Sequence, residues 1–429
     1  MVIKDFLKNK LVHNAGWIIG EKIIYKLLAF FISLIMARYL GPGNYGLINY
    51  ATAYTTFFAS LCTLGINSVI VKDFVDHPAE SGETIGTTLI LRMISSVLSV
   101  GIIVGIVAII ESDEPMTILV VTLCSISLIF KVFDTFNYWF QSRLQSKYSA
   151  MANLIAYVVM SIYKVILVMQ NKSIEWFAVS TSIDYIVIAV CLLWIYKKQK
   201  GPRFSFSLRK AKSLLSRSSS FIVSGLMVSI YASTDKLMLK KMLDENSVGY
   251  YSLAVTIAAM WTFVLNAIID TAYPSIMKLH ERNKVEYERR NKQLYAIVFY
   301  MSIGVSALIS VMAEPLIRIL YGEVYLPTVT SLRIIVWYTA FSYLGGARNA
   351  WIVCEEKQKF LKYIYAGSAG LNVLLNLIFI PIWGGAGAAG ASLITQISTI
   401  FLFPMLVPSL RRNTKLILEA IMLKDVLPS

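Results

Sequence analysis

The chain has 429 residues, 57% of them hydrophobic and only 15% charged, with a formal net charge of +15. Soluble chains carry about 25% charged residues, so a soluble enzyme or binding domain is excluded. In a soluble protein this surplus of base would point to nucleic acid; in so apolar a chain it reads first as cytoplasmic loop charge, and no nucleic-acid partner is expected.

Apolar runs near the ~20 residues needed to span a hydrocarbon core recur from end to end. They fall at residues 14–38, 46–71, 85–110, 115–140, 148–170, 174–196, 215–240, 248–275, 291–312, 329–354, 361–382 and 387–408, which predicts twelve transmembrane helices. No alternating strand pattern occurs, which argues against a barrel. The N-terminus lacks a short apolar stretch followed by a small-residue cleavage site, so the first span is expected to serve as its own insertion signal.

That first span carries Glu21, Lys22 and Lys26, ends at Arg38 and breaks at Gly41-Pro42-Gly43. Charges inside a membrane-length helix are costly and usually face a protein interior or a water-filled cavity. Lys22 and Lys26 share one helix face, where two cations repel unless an anion lies between them. Arg92 lies about 10 Å into the third span, and Lys164 about 24 Å into the fifth, at 1.5 Å per residue. Lys131 and Asp134 share a face of the fourth span, where they can neutralise each other, and Asp184 lies in the sixth. In the second half, Asp235, Lys236 and Asp270 sit near span ends, where capping or solvation accounts for them, and Arg348 lies deep in the tenth span. Arg38, Lys240, Lys241 and Arg333 can snorkel to head groups. Snorkelling is harder for Lys22, Lys26, Arg92, Lys164 and Arg348, and these, together with Arg38, are expected to line a cationic central cavity that binds the substrate. Such a cavity suits a multiply charged anion, which Arg grips bidentately and Lys meets as a point charge.

With the N-terminus inside, nearly all loop Lys and Arg fall on the inner side, which places both termini in the cytoplasm. The acidic loop 73–83 is the exception. The longest basic connection, KKQKGPRFSFSLRKAK at 197–212, follows the sixth span and divides the chain in half. Topology accounts for its charge, and so would binding to anionic head groups. The expected organisation is an N-terminal lobe at 1–198, a basic cytoplasmic linker at 199–213, a C-terminal lobe at 214–410 and a cytoplasmic tail at 411–429.

The halves look related. Arg38-Tyr39-Leu40, then Tyr45-Gly46-Leu47 and Ala51, align without a gap on Lys241-Met242-Leu243, Val248-Gly249-Tyr250 and Ala254. A weaker echo pairs Glu114-Pro115 with Glu314-Pro315, each expected to open a span. Two halves of six spans run the same way and form a parallel repeat. Catalytic signals are absent: the sequence has no Gly-Lys-Ser/Thr loop and no HExxH, and its four cysteines and three histidines lack metal-ligand spacing. Neither a catalytic nor a metal site is expected, and the glycine run 384–390 reads as close helix packing.

Gly20-Glu21, Lys26, Phe30, Ala37-Arg38-Tyr39-Leu40-Gly41-Pro42 and Tyr45-Gly46 together resemble the first-span signature of Wzx-type polysaccharide flippases. These belong to the multidrug/oligosaccharidyl-lipid/polysaccharide (MOP) exporter superfamily. Asp235-Lys236-Leu237-Met238-Leu239, Val248-Gly249-Tyr250-Tyr251, Glu314-Pro315-Leu316-Ile317, Leu320-Tyr321-Gly322 and Leu332-Arg333-Ile334 continue the likeness in order. The resemblance implies an all-α, MATE/MOP-like fold of two six-helix lobes facing each other in a V. It also implies alternating-access transfer of an undecaprenyl-pyrophosphate-linked oligosaccharide from the cytoplasmic to the outer leaflet of the bacterial inner (plasma) membrane. Only Glu21, Lys26 and Arg38 carry over by signature. Membrane lipids and other assembly proteins, such as a polymerase or chain-length regulator, are the implied partners. No cofactor is implied, but coupling to a proton or sodium gradient is. Glu21, Lys131, Asp134, Asp184, Asp235 and Asp270 are the candidates for ion coupling or charge pairing. A multidrug exporter of the same fold would need acids and aromatics in its cavity, and a glycan polymerase or ligase would need a large outer loop. The longest outer loop here, 313–328, is short.

Overall fold

Long helices account for nearly the whole chain in the computed structural model, which describes the backbone of residues 10–425. Side chains are described from Gly20 onward, with Glu21–Ile23, Ser68, Ser220, Val223 and Ser224 excepted. In order the helices are α1 (Lys10–Thr63), α2 (Asn67–Asp76), α3 (Ser81–Ile110), α4 (Pro115–Ser142), α5 (Ser146–Met169), α6 (Ile174–Lys198) and α7 (Leu208–Met242). There follow α8 (Glu245–Ala259), α9 (Phe263–Arg282), α10 (Lys284–Leu320), α11 (Thr328–Ala347), α12 (Asn349–Cys354), α13 (Leu361–Ile400), α14 (Leu402–Leu406) and α15 (Arg411–Ile421). Helix occupies all twelve expected spans. By length and composition seven of the described helices can cross a membrane, or eight if α8 and α9, bent by 43°, count as one span.

Two spans in a row can read as one helix where the break is a single residue. Gly41 (φ 69°, ψ 172°) interrupts α1, and Gly384 (φ 56°, ψ −132°) interrupts α13. The Gly41 conformation is essentially open to glycine alone, and another residue there costs about 1–3 kcal/mol. Pro42 follows, free to begin the next helix because its missing N–H has no partner there anyway. The matching junction in the second half is built differently: Asp244 caps α8 by accepting a hydrogen bond from the Ser247 N–H at 2.7 Å. The two halves therefore turn the corner at equivalent positions with unlike chemistry.

The second echo does not survive. Pro115 stands at the start of α4, whereas Pro315 lies inside α10, which runs on to Leu320. Glu314-Pro315 opens no span. The expected span ends near residue 312, but the helix runs on through Glu314, Pro315 and Arg318, residues that read as a span boundary in the sequence.

The chain divides into two compact units, Met1–Ser233 and Thr234–Ser429. In the first unit α1 packs against α5, α4 and α3, and α5 against α6. Its core gathers Phe136, Trp139, Phe140 and Tyr196, all at most 3% exposed. In the second unit α10 and α13 flank α11, and α15 lies on α10. Its core holds Tyr287, Tyr295, Trp351, Leu416 and Ile417. Large apolar side chains on the outer faces, such as Ile109 and Leu98, are exposed. That is expected of helices bounded by lipid tails rather than water.

Candidate functional site

Within the first unit two adjoining cavities, of about 220 and 370 Å³, share Tyr25, Lys164 and Asp184 in their walls. Helical spacing brings these groups together. On α5, Tyr157, Ser161 and Lys164 follow at three- and four-residue intervals and so face one way. On α6, Thr181, Asp184 and Tyr185 do the same, and on α4 Cys124, Ser127, Leu128 and Lys131. Tyr25 of α1 closes the group, its ring 3.9 Å from that of Tyr157.

Lys164 and Asp184, placed by sequence on separate spans, attract each other across this space. One carboxylate oxygen of Asp184, Oδ1, is buried without a hydrogen-bond partner. The Lys131 ammonium lies 5.7 Å from the centre of the Tyr185 ring, a cation–π distance. Lys131 begins a short 3-10 segment, Lys131–Asp134, within α4. No ion pair joins Lys131 and Asp134 among the described residues. Asp134 instead accepts from the Asn137 side-chain amide at 3.2 Å. The cavity thus holds two ammonium groups, one carboxylate, several phenols and a set of hydroxyls. It can neutralise an anion while hydrogen-bonding polar groups around it.

The other nominated residues lie elsewhere. Arg92 and Arg348 do not line these cavities; both are nearly inaccessible, at 1% and 2% exposed. Arg92 donates to Thr135 Oγ1 at 3.0 Å and to Asn67 Oδ1, with the Tyr138 ring 5.6 Å away. Arg348 donates to the Thr399 carbonyl at 3.1 Å. In each guanidinium Nε is left without a partner. Each therefore ties helices together inside its own unit. Lys26 is half-buried on α1 and outside both cavities, and Arg38 is exposed. The Glu21 and Lys22 side chains lie outside the described residues. Asp270 is exposed on α9.

Asp235 departs from the expectation of a solvated residue near a span end. It is 6% exposed and accepts hydrogen bonds from Tyr251 of α8 and from Asn376 (2.6 Å) and Ser392 of α13. Asn376 also donates to Asn372 Oδ1 at 3.1 Å, and its own Oδ1 is buried without a partner. Sequence reasoning passed over Asn372 and Asn376, although two amides four residues apart in an apolar run are a readable signal of a polar helix face. It also passed over Glu111, which lies 7% exposed at the end of α3 and accepts from the Tyr50 hydroxyl at 2.9 Å.

Apolar helices broken by glycine, in two compact units with polar pockets in the helix packing, define a polytopic helical membrane protein. Solved structures with this fold include the lipid II flippase MurJ in an inward closed conformation, with TM-score 0.71, 13% identity and coverage of 94% of this chain and 89% of that one. Another is an inward-facing multidrug-resistance MATE transporter of the MOP superfamily, with TM-score 0.67, 16% identity and coverage of 90% and 96%. The family model described as polysaccharide biosynthesis protein matches residues 11–280, and the chain belongs to that family. A capsular polysaccharide biosynthesis protein, CapF of Staphylococcus aureus, is 21% identical over 401 residues, covering 90% of this chain and 96% of its own. The teichuronic acid biosynthesis protein TuaB of Bacillus subtilis (strain 168) is 24% identical over 226 residues, 52% of this chain and 46% of its own.

Proposed function

We propose that the protein is a flippase, not an enzyme, that carries undecaprenyl-pyrophosphate-linked oligosaccharide repeat units across the plasma (inner) membrane. Transfer runs from the cytoplasmic to the outer leaflet, with both chain termini in the cytoplasm, and feeds an O-antigen, capsule or other surface polysaccharide. The observation that carries this reading is the cavity holding Lys131 and Lys164 among phenols and hydroxyls, in a member of the polysaccharide biosynthesis family. Ammonium groups offset the pyrophosphate, and the phenols and hydroxyls suit sugar faces and sugar hydroxyls. Downstream assembly proteins would receive the flipped unit.

The test is leaflet-resolved. In cells lacking the protein, radiolabelled lipid-linked repeat unit should accumulate on the inner leaflet, and Lys164→Ala should reproduce this at a normal protein level. Undecorated units accumulating on the outer leaflet would instead indicate polymerisation. A second reading, export of organic cations, draws on Asp184 beside Tyr25 and Tyr185 in the cavity. It requires that cells lacking the protein become drug-sensitive.

Coupling, on this reading, runs through Asp235. Its carboxylate, the unpartnered Asn376 Oδ1, Asn372 Oδ1 and the Ser392 hydroxyl form an all-oxygen set, the donor type a sodium ion or a proton would use. Asp235→Asn should abolish any sodium or pH-gradient dependence of transport in vesicles while leaving substrate binding intact. Gradient-dependent transport persisting in that variant would remove Asp235 from this role.

A further inference from the structure

We propose that residues 201–212, the connector after α6 together with the first turn of α7, form a docking strip for anionic phospholipid head groups at the membrane surface. The strip begins at a marked boundary. At the end of α6, Trp194 is 63% exposed and the Lys198 ammonium lies 5.0 Å from its ring centre. An exposed Trp with a cation at a span end is the usual signature of the lipid–water interface.

The connector is a built structure rather than a slack loop. The Tyr196 hydroxyl donates to the Pro202 carbonyl, the Ser205 N–H to the Gly82 carbonyl at 3.3 Å, and the Ser207 N–H to Thr87 Oγ1 at 3.1 Å. It crosses α3 directly over two glycines one turn apart. A Cβ on Gly82 would overlap the Arg203 carbonyl, and one on Gly86 the Ser205 carbonyl. Residues 201–207 lie outside helix, and Leu208 opens α7. Phe204, Phe206 and Leu208 are 48%, 50% and 63% exposed. Phe204 leans on the Tyr196 ring at 5.4 Å, while Phe206 and Leu208 project from the fixed backbone.

The cations of the strip and of the start of α7 fall into two sets. Lys210 is drawn inward, to Asp73 at 3.0 Å and Glu80 at 2.6 Å, and Arg217 of α7 also reaches Asp73, at 3.1 Å. Arg203, Arg209 and Lys212 are exposed and make no ion pair among the described residues. The acidic loop thus neutralises one set, and three positive charges remain beside an apolar comb. The positive-inside rule explains the number of cations. It does not explain a backbone fixed across α3 that holds aromatic and aliphatic side chains out beside them. Apolar groups that enter the head-group boundary, flanked by basic residues, bind anionic lipid surfaces.

The test uses purified full-length protein in neutral detergent, titrated separately with phosphatidylglycerol, phosphatidylcholine and inorganic phosphate, with bound molecules counted by native mass spectrometry. Phosphatidylglycerol should bind preferentially, and Arg203→Gln/Arg209→Gln/Lys212→Gln should weaken it roughly tenfold or more. Lys357→Gln/Lys359→Gln/Lys362→Gln, on a different cytoplasmic loop, should bind as wild type does. Unchanged phosphatidylglycerol binding in the first variant, an equal loss in the second, or equal binding of phosphatidylcholine or phosphate would each overturn the proposal. A readout needing no variant is amide hydrogen exchange of 201–212 in wild-type protein. Exchange should slow when phosphatidylglycerol is added to phosphatidylcholine vesicles, and unchanged exchange would overturn the proposal.

Discussion

Arg92 and Lys164 look alike in the sequence, each a lone cation well inside an apolar span, yet their surroundings assign them different work. Arg92 is enclosed by Thr135, Asn67 and Tyr138, whereas Lys164 opens on the cavity beside Asp184. Losing hydrogen bonds from a buried charged group costs about 1–3 kcal/mol, so Arg92→Ala should lower the thermal midpoint and the yield of folded protein. Lys164→Ala should reduce glycan display per folded molecule, whatever midpoint it loses by leaving the Asp184 carboxylate without its counter-charge. A thermal shift assay with surface-glycan quantification separates the two. Depth along a helix is legible because each residue adds a fixed rise; the direction a side chain faces is not, when the helix is apolar all round. For that reason the ionisable residues could be found from sequence, while the meeting of Lys164 with Asp184 and the enclosure of Arg92, Arg348 and Asp235 could not.

Among the elements, breaks were easier to read than continuations. Gly41-Pro42 announces a break because only glycine takes the backbone angles found there. The 3-10 segment in α4 and the extension of α10 past residue 312 carry no such mark. The acidic loop 73–83, an exception to the topology rule, becomes intelligible through α7. Burial alone would raise the Asp73 carboxyl, but the Thr84 hydroxyl, Lys210 and Arg217 outweigh burial and hold it below its ordinary value. A carboxyl lowered by folding stabilises the protein above its unfolded value and loses that effect as pH falls through the lowered one. Asp73→Asn should therefore destabilise by roughly 1–3 kcal/mol at neutral pH, the range for charge-assisted hydrogen bonds lost. The difference from wild type should be constant from pH 6 to 8 and shrink only below the normal carboxylate range. A difference that changed between pH 6 and 8 would overturn this account of Asp73.

At the scale of the whole molecule, composition alone was enough for an all-helical membrane protein, and a short set of motifs for its family. The division into units was less legible. Its boundary, between Ser233 and Thr234, falls inside α7, whose start is bonded to Asp73 of α2. The proposed orientation has a direct check. Single cysteines introduced at Lys172 and Ser213 should react with an impermeant thiol reagent from outside and inside respectively. Reaction of both from one side would invert or break the assignment of spans.

The bond between Asp73 and Lys210 also constrains how the protein is made. The two residues are 137 positions apart, so at ordinary elongation rates Asp73 leaves the ribosome roughly ten seconds before its partner. During that interval the first spans must be inserted with their acidic loop uncompensated. The clasp therefore cannot set their orientation. It can only lock an orientation already chosen, once the middle of the chain has been translated.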